Sequence, residues 1–342
     1  MLAASIHQRA LQAALDFGQA DLAQMMRGEL MLSIKKSTRE FKQVSGSFSL
    51  PPALVAEIDR LLATSTSTAA AIRVLSVFPG LLELDLDRLR EGAREHMKEA
   101  SFLSLMPTVH YHPDGKVTFQ SIDAEGNVER HAAFLAGSHL VVVEALLRYV
   151  LGRLMSRMEP STLIEALGDW PHLPAHRAVL LSVAAERFAK SDWISSAFLV
   201  IPLYEAVLRD LLRAGGYPAL KTEAGGTQKD ETLNSLIRSA ATRSVLGDGH
   251  CDLVEHVMCD PALGWNLRNE LAHGTVRPET LTPMRVFLAW LLLIRLTCFV
   301  GSAPKAEARR ANADADGQEP PEPTPAAGET DNAVGPAAKR HE

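Results

Sequence analysis

The chain is 342 residues long, 46% hydrophobic, 6% aromatic and 22% charged, with a formal net charge of −6. Such an apolar share excludes wholesale disorder, and the length allows two domains or one domain with extensions. Few aromatics among long Leu, Ala, Arg and Glu stretches predict helices rather than strands, and the negative charge argues against any general binding to DNA duplexes.

Residues 1–100 read as an N-terminal helical region. Leu2, Ile6, Ala10, Leu11, Leu15, Leu22, Met25 and Met26 recur at helical spacing, which predicts one or two amphipathic helices with a break at Gly18 and a start at Asp21. Residues 35–49 are polar and bear Ser, Thr and Gly, a loop. Pro51-Pro52 opens a helix to about Ala63. A turn and N-cap at 65–68 precede a helix over about 69–77, which Pro79-Gly80 stops. Leu82, Leu86, Leu89, Ala93 and Met97 make 81–100 a further amphipathic helix. Nothing in these hundred residues suggests chemistry.

The texture changes at Pro107. Residues 109–112, then Asp114-Gly115, then 116–122 predict a small β-hairpin, with a second turn at Glu125-Gly126-Asn127, so that the insertion spans 101–130. His110 and His112 share a strand face, but two histidines without further ligands are too few for a metal site.

Residues 131–303 predict a helical domain. A long helix from Ala132 to about Met158 buries Leu135, Leu140, Val143, Leu147, Val150 and Leu154 and carries Arg148, Arg153 and Arg157 as a basic edge. A short helix follows to Leu167, then a connector around Pro171 and Pro174 and a helix over 175–190. His172 and His176 are four apart, but Pro174 between them spoils the pair as helical ligands. Asp192 begins another helix through about Arg213, closed by Gly215-Gly216 and kinked or restarted at Pro202. Within it Glu205 and Arg209, one turn apart, pair on the helix surface. Residues 221–230 read as a mobile surface loop, and 231–241 and 250–258 as shorter helices. His250, Cys251, His256 and Cys259 match no standard zinc spacing, and no metal or cofactor is expected.

The last helix, 281–300, packs on Met284, Phe287, Leu288, Leu291, Leu292 and Leu296. Its strongly apolar part, 287–300, includes Arg295 and is too short to span a bilayer, so no membrane association is expected. Residues 304–342 hold eight acidic and five basic side chains and six prolines, a composition that predicts a disordered acidic tail. Cys251, Cys259 and Cys298 suit neither a disulfide framework nor a metal clip, and the N-terminus lacks the pattern of a secretory leader, so the expected location is the cytoplasm.

One stretch, residues 265–274, concentrates capable side chains: Trp-Asn-Leu-Arg-Asn-Glu-Leu-Ala-His-Gly. On a helix, Leu267 and Leu271 fall on one side and Asn266, Asn269 and His273 together on the other. Arg268 lies about 140° from His273 on the wheel, and its long stem and planar fork reach back toward an anion held near the imidazole. Gly274 supplies the left-handed position that ends the helix, and Pro278 confirms the stop.

The run Arg268-Asn269-Glu270-Leu271-Ala272-His273 resembles the Arg-Asn-x-x-x-His signature of HEPN domains (higher eukaryotes and prokaryotes nucleotide-binding). Followed by Gly274, and preceded about sixty residues earlier by Pro202-Leu203-Tyr204-Glu205 and Arg209, it is similar to the HEPN-like family catalogued as domain of unknown function 4209. The likeness covers roughly residues 101–300. It implies a mostly all-α fold, a HEPN-like bundle, and metal-independent cleavage of RNA by its own 2′-hydroxyl. His273 would serve as general acid or base, and Arg268 as the donor that holds the phosphate oxygens. Asn269 would orient the imidazole or donate to the phosphate, with Glu205, Arg209 and Asn266 supporting the site or binding substrate. A homodimer that completes the site, and a setting in stress or phage defence, are further implications of the likeness.

The same residues have a non-catalytic use. Arg268 pairs with Glu205 or Asp210, His273 caps the carbonyls of its own helix, and Asn269 bonds a loop. The expectation is then an RNA- or nucleotide-binding or protein-interaction module that does not cut.

Overall fold

The structure is a computed structural model that describes residues 2–37, 49–99, 108–111, 117–121, 123–223 and 225–299. The tail expected beyond residue 303 and most of the loop expected at 35–49 lie outside the described residues. The rest is mostly helical with two short β-hairpins.

Helices α1 (Leu2–Asp16) and α2 (Ala20–Ser37) form a hairpin that turns at Gly18, with φ of 65°. They share a small core of Leu11, Leu30 and Ile34. Helices α3 (Pro52–Thr64) and α4 (Thr68–Ser76) follow, the second capped by Ser67, whose hydroxyl accepts from Ala70 N at 3.1 Å. The helix expected from Leu81 begins only at Leu86, as α5 (Leu86–Glu99). Leu81, Leu82 and Leu84 are instead buried in a non-helical segment, where Leu84 N donates to Gly249 O at 2.8 Å. A long-range backbone bond thus overrides the local apolar pattern.

Strands β1 (Thr108–Tyr111) and β2 (Val117–Ser121) pair antiparallel as the sequence predicts, while the Asp-Gly turn and His112 lie outside the described residues. The second turn expected at Glu125-Gly126-Asn127 is absent. Asp123 accepts from Gly126 N at 2.7 Å, and these residues become the first turn of α6 (Ala124–Leu154), which therefore starts before Ala132. A side-chain cap satisfies the orphan amides of the first turn and turns a loop-like string into a helix start.

Helices α7 (Pro160–Leu167), α8 (Ala175–Ala189) and α9 (Trp193–Ala214) come next. Asp192 caps α9, accepting from Ser195 N at 3.1 Å. Of the two outcomes expected at Pro202, a kink or a restart, the restart does not occur: α9 runs on through Pro202, which sits on its exposed side, where water can satisfy the Phe198 carbonyl that loses its donor. The stretch read as a mobile loop holds a second hairpin, β3 (Leu220–Thr222) with β4 (Gln228–Asp230). Short helices α10 (Leu233–Arg238), α11 (Ala240–Leu246) and α12 (Asp248–Val254) lead through a π-helical turn, Glu255–Cys259, to α13 (Leu267–Ala272) and α14 (Pro283–Cys298).

Helix α14 is the axis of the main core. Every side chain from Val286 to Ile294 is buried, so this helix is apolar all round rather than striped. One apolar cluster runs from Ile58 to Leu296, so the boundary expected at residue 100 is no break in packing: Ile58, Ile72, Leu75 and Leu82 share a core with Leu147, Tyr204 and Phe287. Two polar ties lock α9 inside it. Trp290 Nε1 donates to Ser196 Oγ at 3.1 Å, and Tyr204 Oη lies 3.1 Å from His250 Nε2.

The segment Ala124–Arg157 is long and apolar enough to cross a membrane by length and composition. The same helix buries Leu140, Val143, Leu147 and Val150 in the core and pairs Glu144 with Arg285 Nε at 2.5 Å.

Burial drives the pKa of His250 down to about 3, with repulsion from Arg295 adding to it. An unfolded histidine titrates near 6.5, so between about pH 3 and 6.5 the unfolded chain binds a proton that the folded one refuses, and stability falls as pH drops through that window. Urea midpoints measured across it should decline less steeply for His250→Gln than for the parent chain.

Candidate functional site

Glu205 sits on α9 with only 6% of its side chain exposed. A carboxylate so placed must be paired to remain ionised. Arg209, one turn along α9, donates Nη2 to Oε1, and Arg268 on α13 donates Nε to Oε2 at 2.8 Å. Leu233 N, at the start of α10, adds a bond to Oε1 at 3.2 Å. Arg209 is fixed further by Nε donating to Glu231 O at 3.0 Å. Two guanidiniums on one carboxylate leave the cluster with a surplus of one positive charge. Asp210, the other partner expected for Arg268, faces Arg177 instead, at 3.1 Å.

The loop before α13 sets the direction of Arg268. Asp260 Oδ1 accepts from Ala262 N at 2.8 Å and Leu263 N at 3.3 Å, an Asx-type turn. Trp265 N then donates to His256 O at 2.9 Å. Gly264 makes this approach possible, because a Cβ there would lie 2.0 Å from His256 O. Asn266 follows in the left-handed region with φ of 52°, a conformation that Asn tolerates better than most residues. The β1–β2 hairpin braces the same loop, Thr118 Oγ1 donating to Ala262 O at 3.1 Å. Trp265 packs under the Arg285 guanidinium, 4.1 Å from ring centre to Cζ.

These contacts correct the helical wheel drawn from sequence. Helix α13 covers only Leu267–Ala272. Asn266 precedes it and His273 is its C-cap; Asn266 and Asn269 still meet, as expected, whereas the His273 ring bonds to neither of them. The Asn269 amide is also occupied. Its Nδ2 donates to Asn266 Oδ1 at 2.7 Å and Cys259 O at 3.3 Å, and its Oδ1 accepts from Arg268 Nη1 at 2.9 Å. Asn269 thus fixes the guanidinium rather than the imidazole.

His273 stands outside this network, exposed at the end of α13. Its ring does not cap the helix. Gly274 N donates to Leu271 O at 3.1 Å and Thr275 N to Glu270 O at 2.9 Å, with Gly274 at φ of 65°, the two-bond C-terminal turn that glycine favours. Among the described residues the imidazole makes no side-chain hydrogen bond, and neither does Arg268 Nη2. The site therefore presents a clamped, partly exposed guanidinium and a free ring five residues apart.

No family model, curated protein or solved structure matches the chain. The site is therefore read from its own chemistry.

Among the described residues no three His, Cys, Asp or Glu side chains converge in a way that could hold a metal ion. His250, Cys251, His256 and Cys259 are all buried, and burial pushes both thiols up to about 12. Sequence reasoning missed the Cys259 carbonyl, the Leu233 amide and Gly264. Only Gly264, directly before the motif, left a visible signal.

Replacing Glu205 with Gln strands two guanidiniums and should cost about 3 kcal/mol in denaturant unfolding, the usual scale for breaking a buried pair. Gly264→Ala should cost about 2 kcal/mol by overpacking against His256 O, and a shifted Trp265 emission would report the loop moving.

Proposed function

We propose that the chain is a HEPN-type ribonuclease. The observation that carries this reading is the pair of guanidiniums on the buried Glu205 carboxylate, which leaves one net positive charge in a preset orientation, with the exposed His273 imidazole five residues on. A phosphodiester passing over α13 would meet Arg268 through its Nη2 group, which has no hydrogen-bond partner among the described residues, and fixed donors stabilise charge that develops on phosphate oxygens. The 2′-hydroxyl attacks the adjacent phosphorus, its proton goes to a base, and the 5′-oxygen leaves with a proton from an acid. His273 supplies one of these transfers. A second copy of the chain supplies the other imidazole, and α8 and α9 expose Val179, Leu180, Val183, Ile194 and Phe198, an apolar face suited to such a contact. RNA is the substrate, and the setting is a cytoplasmic stress or phage-defence response.

A second reading is favoured by a specific contact. Arg268 is already held by Glu205 and Asn269, as in a module that binds RNA, nucleotide or protein without cutting. The two readings part in one assay. Full-length protein is incubated with single-stranded and structured RNA in chelator. The nuclease leaves 2′,3′-cyclic phosphate ends and loses about 100-fold or more of its rate in His273→Ala and in Arg268→Ala. Intact RNA, or cleavage that persists unchanged in His273→Ala, removes the catalytic reading; RNA retained on the protein in a filter assay then leaves the binding module.

A further inference from the structure

A cavity of about 420 Å³ opens between the α3–α4 turn and the C-terminal end of α6, far in sequence from the Arg268 motif. Its walls carry Ser65, Thr66, Ser67 and Thr68 on one side and Arg153 and Arg157 on the other, with Asp59 at the edge.

The partners of these groups show which of them are free. Asp59 is satisfied: Tyr149 Oη donates to it at 2.7 Å and Arg153 Nη2 at 2.9 Å, and these bonds hold its carboxyl below the usual range. Arg153 is thereby neutralised and oriented. Arg157 is exposed and makes no ion pair with a described residue, so the three charged walls sum to one positive charge. Ser65 and Ser67 are engaged, Ser65 Oγ with Leu61 O at 2.8 Å and Ser67 Oγ as the α4 cap. The hydroxyls of Thr66 and Thr68 have no partner among the described residues, and neither do the Thr68 and Ala69 amides in the first turn of α4, where Ser67 takes Ala70 N and Ala71 N. The partial negative charge at the end of α6 is offset by the partial positive charge at the start of α4, so Arg157 decides the sign of the cavity.

Unpaired guanidinium, unpaired hydroxyls and unused amides are all donors, and together they match an oxyanion with several acceptor oxygens. The volume lies within the usual range of small-ligand pockets, about 300–1,000 Å³. We propose that this cavity binds the phosphoryl group of a small phosphorylated ligand, with Arg157 as the charged donor and Thr66 and Thr68 as hydroxyl donors. Arg153, held by Asp59, shares the wall with Arg157. The short 3-10 turn that follows α6, Met155–Arg157, thus brings Arg157 to a small-molecule site separate from the motif on α13.

Calorimetric titration of the full chain with inorganic phosphate, adenosine 5′-monophosphate and adenosine tests this without any RNA. Saturable binding of phosphate or of the nucleotide, but not of adenosine, is expected; the tighter of the two identifies free phosphate or a phosphate ester as the ligand. Arg157→Gln should weaken binding tenfold or more and Thr68→Val severalfold. Arg148→Gln, an exposed position on α6 outside the cavity, should bind as the parent does, and all three variants should keep its thermal midpoint within a few degrees. Absence of saturable binding at millimolar phosphate and nucleotide, equal binding of adenosine, or equal loss in Arg148→Gln and Arg157→Gln would overturn the assignment.

Discussion

The carboxylate of Glu205, buried inside the helical packing, is the constraint around which the motif is arranged. An isolated buried charge is costly by several kcal/mol, and it is tolerated here because two guanidiniums and a backbone amide converge on it. Those donors come from α9, α13 and the start of α10, so one carboxylate fixes three elements at once. Helix α13 needs this help. Six residues make too few intrahelical bonds to hold a helix alone, and α13 is secured by Leu267 and Leu271 in the core, by Arg268 on Glu205, and by Asn269 on the Cys259 carbonyl.

The same pairing gives the motif its two-part character. Arg268 is rigid and partly screened, while His273 stands beyond the last turn, held in place by backbone bonds at Gly274 and Thr275 and not by its ring. A guanidinium fixed before substrate arrives pays no reorganisation cost when charge develops beside it. An imbalance of charge, two cations on one anion, is what separates this cluster from an ordinary surface ion pair.

Around the site the scaffold is stiff where it matters. Helix α14 is enclosed on all sides, and α9, which carries Glu205, is tied to it through Trp290 and Ser196 and to α12 through Tyr204 and His250. The α1–α2 hairpin stands apart with a small core of its own, touching the β1–β2 hairpin through Gln8 Nε2 on Gln120 Oε1 at 3.1 Å.

Features that depend on neighbours within about one helical turn, or across one tight turn, were legible in the chain. The cap at Asp192, the pairing of Glu205 with Arg209, the glycine stop at Gly274, the β1–β2 pairing and the apolar character of α14 all follow from short spacings and residue type. Glu205 beneath Arg268 was one of two partners, with Asp210, that the sequence left open. Tertiary structure decided the rest. Arg268 chose Glu205, 63 residues away, over Asp210; Asn266 turned left-handed because Trp265 is tied to His256 across Gly264; and Asn269 was drawn to Cys259 O instead of His273. Periodicity places a side chain on a face of its own helix, but which distant donor or carbonyl meets that face depends on how the helices pack, and burying a charge leaves the chain little freedom in choosing the partner.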